Sequence, residues 1–145
     1  MLDWLEITLK LLLAMFLGGL IGWEREVEGK PAGLRTIILV SLSASMYVIA
    51  AQQAAASHGE IADSVRAMTG IAQGIGFLGA GAIMQSGGKV HWMTIAAALW
   101  AAAGVGFAVG VDMYYVAILG SVLVFVTLKW LGLGKERWLK RSSKE

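Results

Sequence analysis

The feature that most constrains this chain is its punctuation: five apolar runs close to 20 residues long, separated by short polar turns. A helix needs roughly 20 mostly apolar residues to cross a hydrocarbon core of about 30 Å. The runs cover about Leu5–Trp23, Thr36–Ala56, Ala67–Met84, Trp92–Val109 and Met113–Leu131. Between them lie Glu24–Arg35, Ser57–Arg66, Gln85–His91 and the tight Gly110–Asp112 corner. A length of 145 residues allows either one soluble domain or a compact bundle of spans, and composition decides. Apolar residues make up 57% and charged residues 15%, against roughly 45–50% and 25% in soluble domains. The pattern predicts an all-α integral membrane bundle of about five transmembrane helices over residues 1–131, with a short basic cytoplasmic tail at 132–145.

The opening residues lack the basic start of a cleavable signal, so the first run is expected to remain as a span. Glu6 and Lys10 interrupt it, and Lys10 is expected to snorkel outward while Trp4 sits among the headgroups. Ten of the twelve basic residues fall on one side if the N-terminus is outside; only Lys10 and Arg66 fall on the other. That asymmetry predicts an N-out, C-in, multi-pass protein. The absence of cysteine excludes disulfides and thiolate metal sites. A net charge of +2 gives no reason to expect a nucleic-acid partner; the expected surroundings are the lipid bilayer.

Nineteen glycines against one proline must sit within ordered apolar segments. Lipid tails are as apolar as leucine, so spans associate through close backbone approach and interhelical hydrogen bonds. Three GxxxG pairs suit that packing: Gly18/Gly22, Gly70/Gly74 and Gly106/Gly110. The run Gly74–Gly79 matches a dinucleotide-binding fingerprint only as letters, because neither the preceding strand nor the later acidic residue is there. Gly70, Gly74, Gly76, Gly79 and Gly81 instead suit helix packing, or a helix break lining a pathway. Gln73, expensive to leave unpaired in lipid, is expected to face the bundle interior.

Charge concentrates in the turn Glu24–Arg35. Its carboxylates are the hard oxygen ligands that Mg²⁺ or Ca²⁺ prefers. Arg25 lies between two of them and supports an interfacial ion-pair reading instead, so no metal site is assigned. Asp63 and Arg66 stand three apart, the spacing of a pair on one helix face. His58 and His91 occupy opposite loops and cannot share a metal. No nucleophile has a base beside it, so the chain is expected to be neither an enzyme nor a cofactor carrier.

The motifs taken together are more specific. Gly22-Trp23-Glu24-Arg25-Glu26, Lys30-Pro31-Ala32-Gly33-Leu34-Arg35-Thr36, Asp63-x-x-Arg66, Gly74-Ile75-Gly76-Phe77-Leu78-Gly79-Ala80-Gly81 and Thr94-x-Ala96-Ala97-x-Leu99-Trp100 resemble the MgtC/SapB family, in order, over about Phe16–Leu131. The resemblance implies a bacterial inner-membrane protein linked to magnesium homeostasis under limitation and, in pathogens, to virulence. It further implies a regulator acting through membrane-protein contacts, with the ATP synthase as a candidate partner; the alternative is a channel or transporter for a small ion such as Mg²⁺. A homo-oligomer is expected in either case. The polar motif positions carried over are Glu24, Arg25, Arg35, Thr36, Asp63 and Arg66; the glycine positions are Gly74, Gly76, Gly79 and Gly81, beside Gly70. Two departures stand out: Trp92-Met93-Thr94-Ile95 replaces the family's Gly-Leu-Thr-Thr, and no C-terminal soluble domain is expected.

Overall fold

The computed structural model describes residues 3–58, 61–86 and 89–142, with the side chains of 57–65, 67, 84–90 and 131–142 outside that description. Five helices form it: α1 (Trp4–Val27), α2 (Leu34–His58), α3 (Ile61–Ala82), α4 (Met93–Gly110) and α5 (Tyr114–Ser142). The third and fourth are joined by a small antiparallel hairpin of β1 (Met84–Ser86) and β2 (Lys89–His91), with Gln85 opposite Val90. The apolar pattern gave no sign of this pairing within the expected Gln85–His91 loop. Among the described residues three segments are long and apolar enough to cross a membrane, Trp4–Val27, Leu34–Ala56 and Met93–Gly110; Tyr114–Trp130 is a shorter apolar stretch. α5 runs on into the basic segment, so residues 132–142 are helical.

Helix ends are built by local chemistry. At the end of α1, Gly29 takes a left-handed φ of 60°. Its N–H donates to the Glu26 carbonyl, and the Lys30 N–H donates to that of Arg25. This is the Schellman closure, which satisfies carbonyls that have no later turn to bond. The end of α4 repeats it with an unusual residue. Asp112 is left-handed at φ 65°, its N–H donating to Val109 and that of Met113 to Ala108.

α4 is the axis of the bundle and packs against all four other helices. Its buried residues include Ile95, Ala98, Leu99, Ala102, Val105 and Val109. α2 lies between α1 and α4 at contact distances that only small residues permit. A methyl group on Gly18 would come within 2.7 Å of Ser41 Cβ, and one on Gly22 within 2.9 Å of Leu34 Cα. From the other side, a methyl on Gly106 would overlap the Ser41 carbonyl, and one on Gly110 would approach Val48 Cβ to 2.8 Å. Ser41 is therefore gripped by one glycine of each pair, Gly18 and Gly106, and its Oγ donates a 2.9 Å hydrogen bond to the Ala14 carbonyl.

The outer surface is apolar. Leu5, Leu9, Leu12 and Phe16 are all exposed along one side of α1. In water this arrangement would be costly; against lipid it is the expected one, because only backbone and polar groups need internal partners there. The buried Ser45 Oγ has no partner, but other hydroxyls comply. Thr8, Ser121 and Thr127 each donate to a carbonyl three or four residues earlier in their own helix.

Candidate functional site

The turn from α1 to α2 converts the charged motif into architecture. Glu26 reaches across it, and its Oε2 accepts a 2.9 Å hydrogen bond from the Leu34 N–H at the start of α2. A free helix N-terminus presents unpaired N–H groups, so a carboxylate there serves as a cap and complements the dipole. Gly33 makes the reach possible, since any Cβ there would occupy the place of the Glu26 carboxylate. Ala32 adopts a left-handed φ of 56°. The spacing of the two motifs in this chain thus has a local reason.

Glu24 and Arg25 behave differently. They lie on the buried side of α1, at 5% and 4% exposure. Both Glu24 carboxylate oxygens and Arg25 Nε lack a hydrogen-bond partner. The expected ion pair between Arg25 and its flanking carboxylates does not form; the contact in this turn is Lys30 to Glu28, at 3.8 Å. Arg35 and Thr36 are exposed near the same end, at the start of α2. Asp63 and Arg66 lie in the first turns of α3, beyond the far end of α2. At about 1.5 Å per residue, the 25-residue α2 separates the two groups by roughly 37 Å. Arg66 is exposed, and the Asp63 side chain lies outside the described residues.

The glycine motif is set apart from the packed pairs. α3 is one continuous helix over Ile61–Ala82, so of the two readings of its glycines the helix break does not occur. Gly70, Gly74, Gly76 and Gly81 have nothing within 4 Å of an added Cβ; Gly79 approaches Ala96 of α4 at 3.5 Å. Among its described residues only Ile75 and Gly79 are buried. Gln73 is exposed, contrary to the interior position expected of it, because α3 turns its apolar Ile75 edge toward the bundle instead. Cavities flank the helix. One, of about 690 Å³, lies against α2 and is lined by Thr36, Ser43, Tyr47, Gly70, Gly74 and Leu78. The other, of about 370 Å³, lies against α4 and includes Met68, Ile75, Trp100 and Phe107.

These motifs can be set beside known proteins. The sequence profile described as the MgtC family matches residues 11–136. The chain belongs to the MgtC family. SrpB of Synechococcus elongatus is 35% identical over 151 residues, covering 97% of this chain and 83% of that protein. YhiD of Escherichia coli strain K12, for which magnesium transport is the role its name proposes, is 33% identical over 86% of this chain and 60% of its own length. MgtC of Salmonella typhimurium is 39% identical over 80% of this chain. The chain spans 61% of a matching Haemophilus influenzae protein and 48% of that MgtC. No solved structure matches.

This MgtC family member also holds a charged cluster that sequence reading missed. Lys10 does not snorkel outward; it is 1% exposed and sits between two carboxylates. Its Nζ lies 2.8 Å from Asp112 Oδ1 and 3.1 Å from Glu6 Oε1. Tyr114 donates a 2.6 Å hydrogen bond to the same Asp112 oxygen. Partial burial pushes the Asp112 carboxyl up, but the hydrogen bonds from Lys10 and Tyr114 outweigh it and hold it below its ordinary value. The spacing of Glu6 and Lys10 was a visible signal; Asp112, 102 residues later, becomes their partner only when α1 packs against the α4–α5 corner. Among the described residues no group of three or more His, Asp or Glu side chains is arranged to hold a metal.

Proposed function

We propose that this MgtC family protein is a non-enzymatic regulator that works through contacts between the exposed face of α3 and another membrane complex. The observation that carries the reading is the bare glycine face of α3, open at Gly70, Gly74 and Gly81 where the other glycine pairs are filled. Close approach of a second helix is what such a face permits. The setting is the bacterial inner membrane, N-out and C-in, during adaptation to low magnesium, with the ATP synthase as the candidate partner.

The test exploits the open space. A Cβ added at Gly74 meets nothing within 4 Å and enters the cavity beside α2, so Gly74→Leu is expected to fold. It should lose the partner in co-purification from native membranes. Undiminished recovery of the partner with a folded Gly74→Leu protein would count against the regulator.

The second reading is transport of a small ion such as Mg²⁺. It is favoured by the role that YhiD's name proposes and by the hydroxyl-bearing cavity of Thr36, Ser43 and Tyr47. A homo-oligomer would supply the pathway that five short helices leave little room to enclose. Flux measurements in proteoliposomes decide it: no movement of Mg²⁺ or other ions under a potential ends this reading.

A further inference from the structure

Glu24 poses a problem that neither reading resolves. It occupies the buried side of α1, and neither of its carboxylate oxygens is accessible to solvent or has a hydrogen-bond partner. An ionised carboxylate in that position carries a desolvation penalty of several kcal/mol with no hydrogen bond to offset it. The charged groups that face it are Glu28, one turn later, with Arg25 beside it and Lys30 in the following turn. The cations are engaged poorly or elsewhere. Arg25 makes no ion pair with Glu24, and Lys30 lies against Glu28. The near neighbour of the dry carboxyl is thus a second carboxylate, whose charge disfavours ionisation of the first.

We infer that Glu24 is a proton-binding site, loaded from the aqueous phase at this end of the bundle through the half-buried Glu28. The occupant follows from the space. Both Glu24 oxygens are sealed from a water-sized probe, whereas Mg²⁺ retains several waters and Ca²⁺ takes six to eight oxygens. A proton needs no added volume. In loading, a hydronium ion gives its proton to a Glu28 oxygen and leaves as water. That proton then passes to Glu24, which becomes a neutral acid, and Glu28 is again an anion.

The position gives the proton a consequence. Two residues before Glu24, Gly22 makes the close contact with Leu34; two residues after it, Glu26 caps α2. Loss of the proton leaves a bare charge in the segment that carries both attachments. The charge is relieved by turning Glu24 outward, which strains the junction of α1 with α2. Proton occupancy of Glu24 therefore sets how firmly these helices are joined.

Infrared difference spectroscopy of the full chain in lipid nanodiscs tests the assignment. At neutral pH wild type should show a protonated-carboxyl stretch that shifts in D₂O, disappears on alkalinisation and is absent from Glu24→Gln. Glu28→Gln should keep the band but lose it about one pH unit lower, because a repelling charge has gone. Glu24→Gln, the neutral isostere, should match wild-type thermal stability at neutral pH and escape the loss that wild type suffers on alkalinisation. No protonated-carboxyl band in wild type at neutral pH overturns the proposal, as does a band that survives Glu24→Gln. Removal of the band by millimolar Mg²⁺ at fixed pH also overturns it, since the occupant would then be a metal ion.

Discussion

The same residue type does opposite things in two parts of this molecule. On α1 and α4, Gly18, Gly22, Gly106 and Gly110 are buried against α2, and α2 would be displaced if any carried a side chain. On α3, Gly70 and Gly74 have the identical spacing, and a Cβ added at either would meet nothing within 4 Å. A small-xxx-small pair is a licence for close approach, and it says nothing about whether a helix of the same chain takes up that licence. In α1 and α4 it is used internally. In α3 it is not used within the chain, which is why the functional proposal rests there.

The difference can be broken most sharply at Gly106. Gly106→Ala drives a methyl group into the Ser41 carbonyl, backbone that cannot swing aside. A loss of about 3 kcal/mol is expected, read as a lower unfolding midpoint in detergent or lipid. A Gly106→Ala protein as stable as wild type would show that the packed and open pairs are not different after all.

The contact of α1 with the α4–α5 corner is closed at its other end by charge, and the next effect in size is expected there. Asp112→Ala leaves buried Lys10 with Glu6 alone. Because Asp112 is half exposed, solvent screens the pair and the expected cost is about 1 kcal/mol. The pH dependence has a definite sign. Asp112 ionises below its ordinary value in the fold, so its stabilisation is complete above the unfolded-state value and is lost as pH falls through the folded one. Asp112→Ala should flatten the acid limb of a stability–pH curve; an unchanged limb would remove Asp112 as its source.

The join between the loosely held α3 and the firmly held α4 offers a gain. Trp92 precedes α4 with a left-handed φ of 68°, a conformation costing a side-chain-bearing residue roughly 1 kcal/mol or more. This is also where the family pattern quoted above carries glycine. Trp92→Gly should raise stability by about 1 kcal/mol in a denaturant titration, and a fall would mean that the exposed indole has contacts worth more than the strain. The smallest effect belongs to the open face. Gly70→Ala and Gly74→Ala should each stabilise the isolated protein by about 0.5 kcal/mol through helix propensity alone. Destabilisation of a purified, partner-free preparation would show that the α3 face is already in use.

Much of this was legible because bilayer physics leaves few solutions. Apolar runs of span length, basic turns and small-residue pairs identify a helical membrane protein, and the motif set around Glu24–Arg35 and Gly74–Gly81 identifies the family. The site was less legible. Glu24, Arg25 and Glu26 look alike as a charged run, yet Glu24 and Arg25 Nε are buried without hydrogen-bond partners and Glu26 caps the next helix. That division depends on which side of α1 meets the bundle, a few tens of degrees of rotation that alternating charge does not encode.

By itself, the sequence determined the number of helices, their approximate limits and the kind of solvent they face, because these depend on run length and transfer energy, which are local sums. Only the tertiary structure decided which glycine pair is filled and which is bare, that Lys10 reaches Asp112 and that Glu24 is sealed from water. These are relations between residues far apart in the chain. They are settled by helix rotation and contact, and lipid, unlike water, imposes no hydrophobic preference between one apolar face and another.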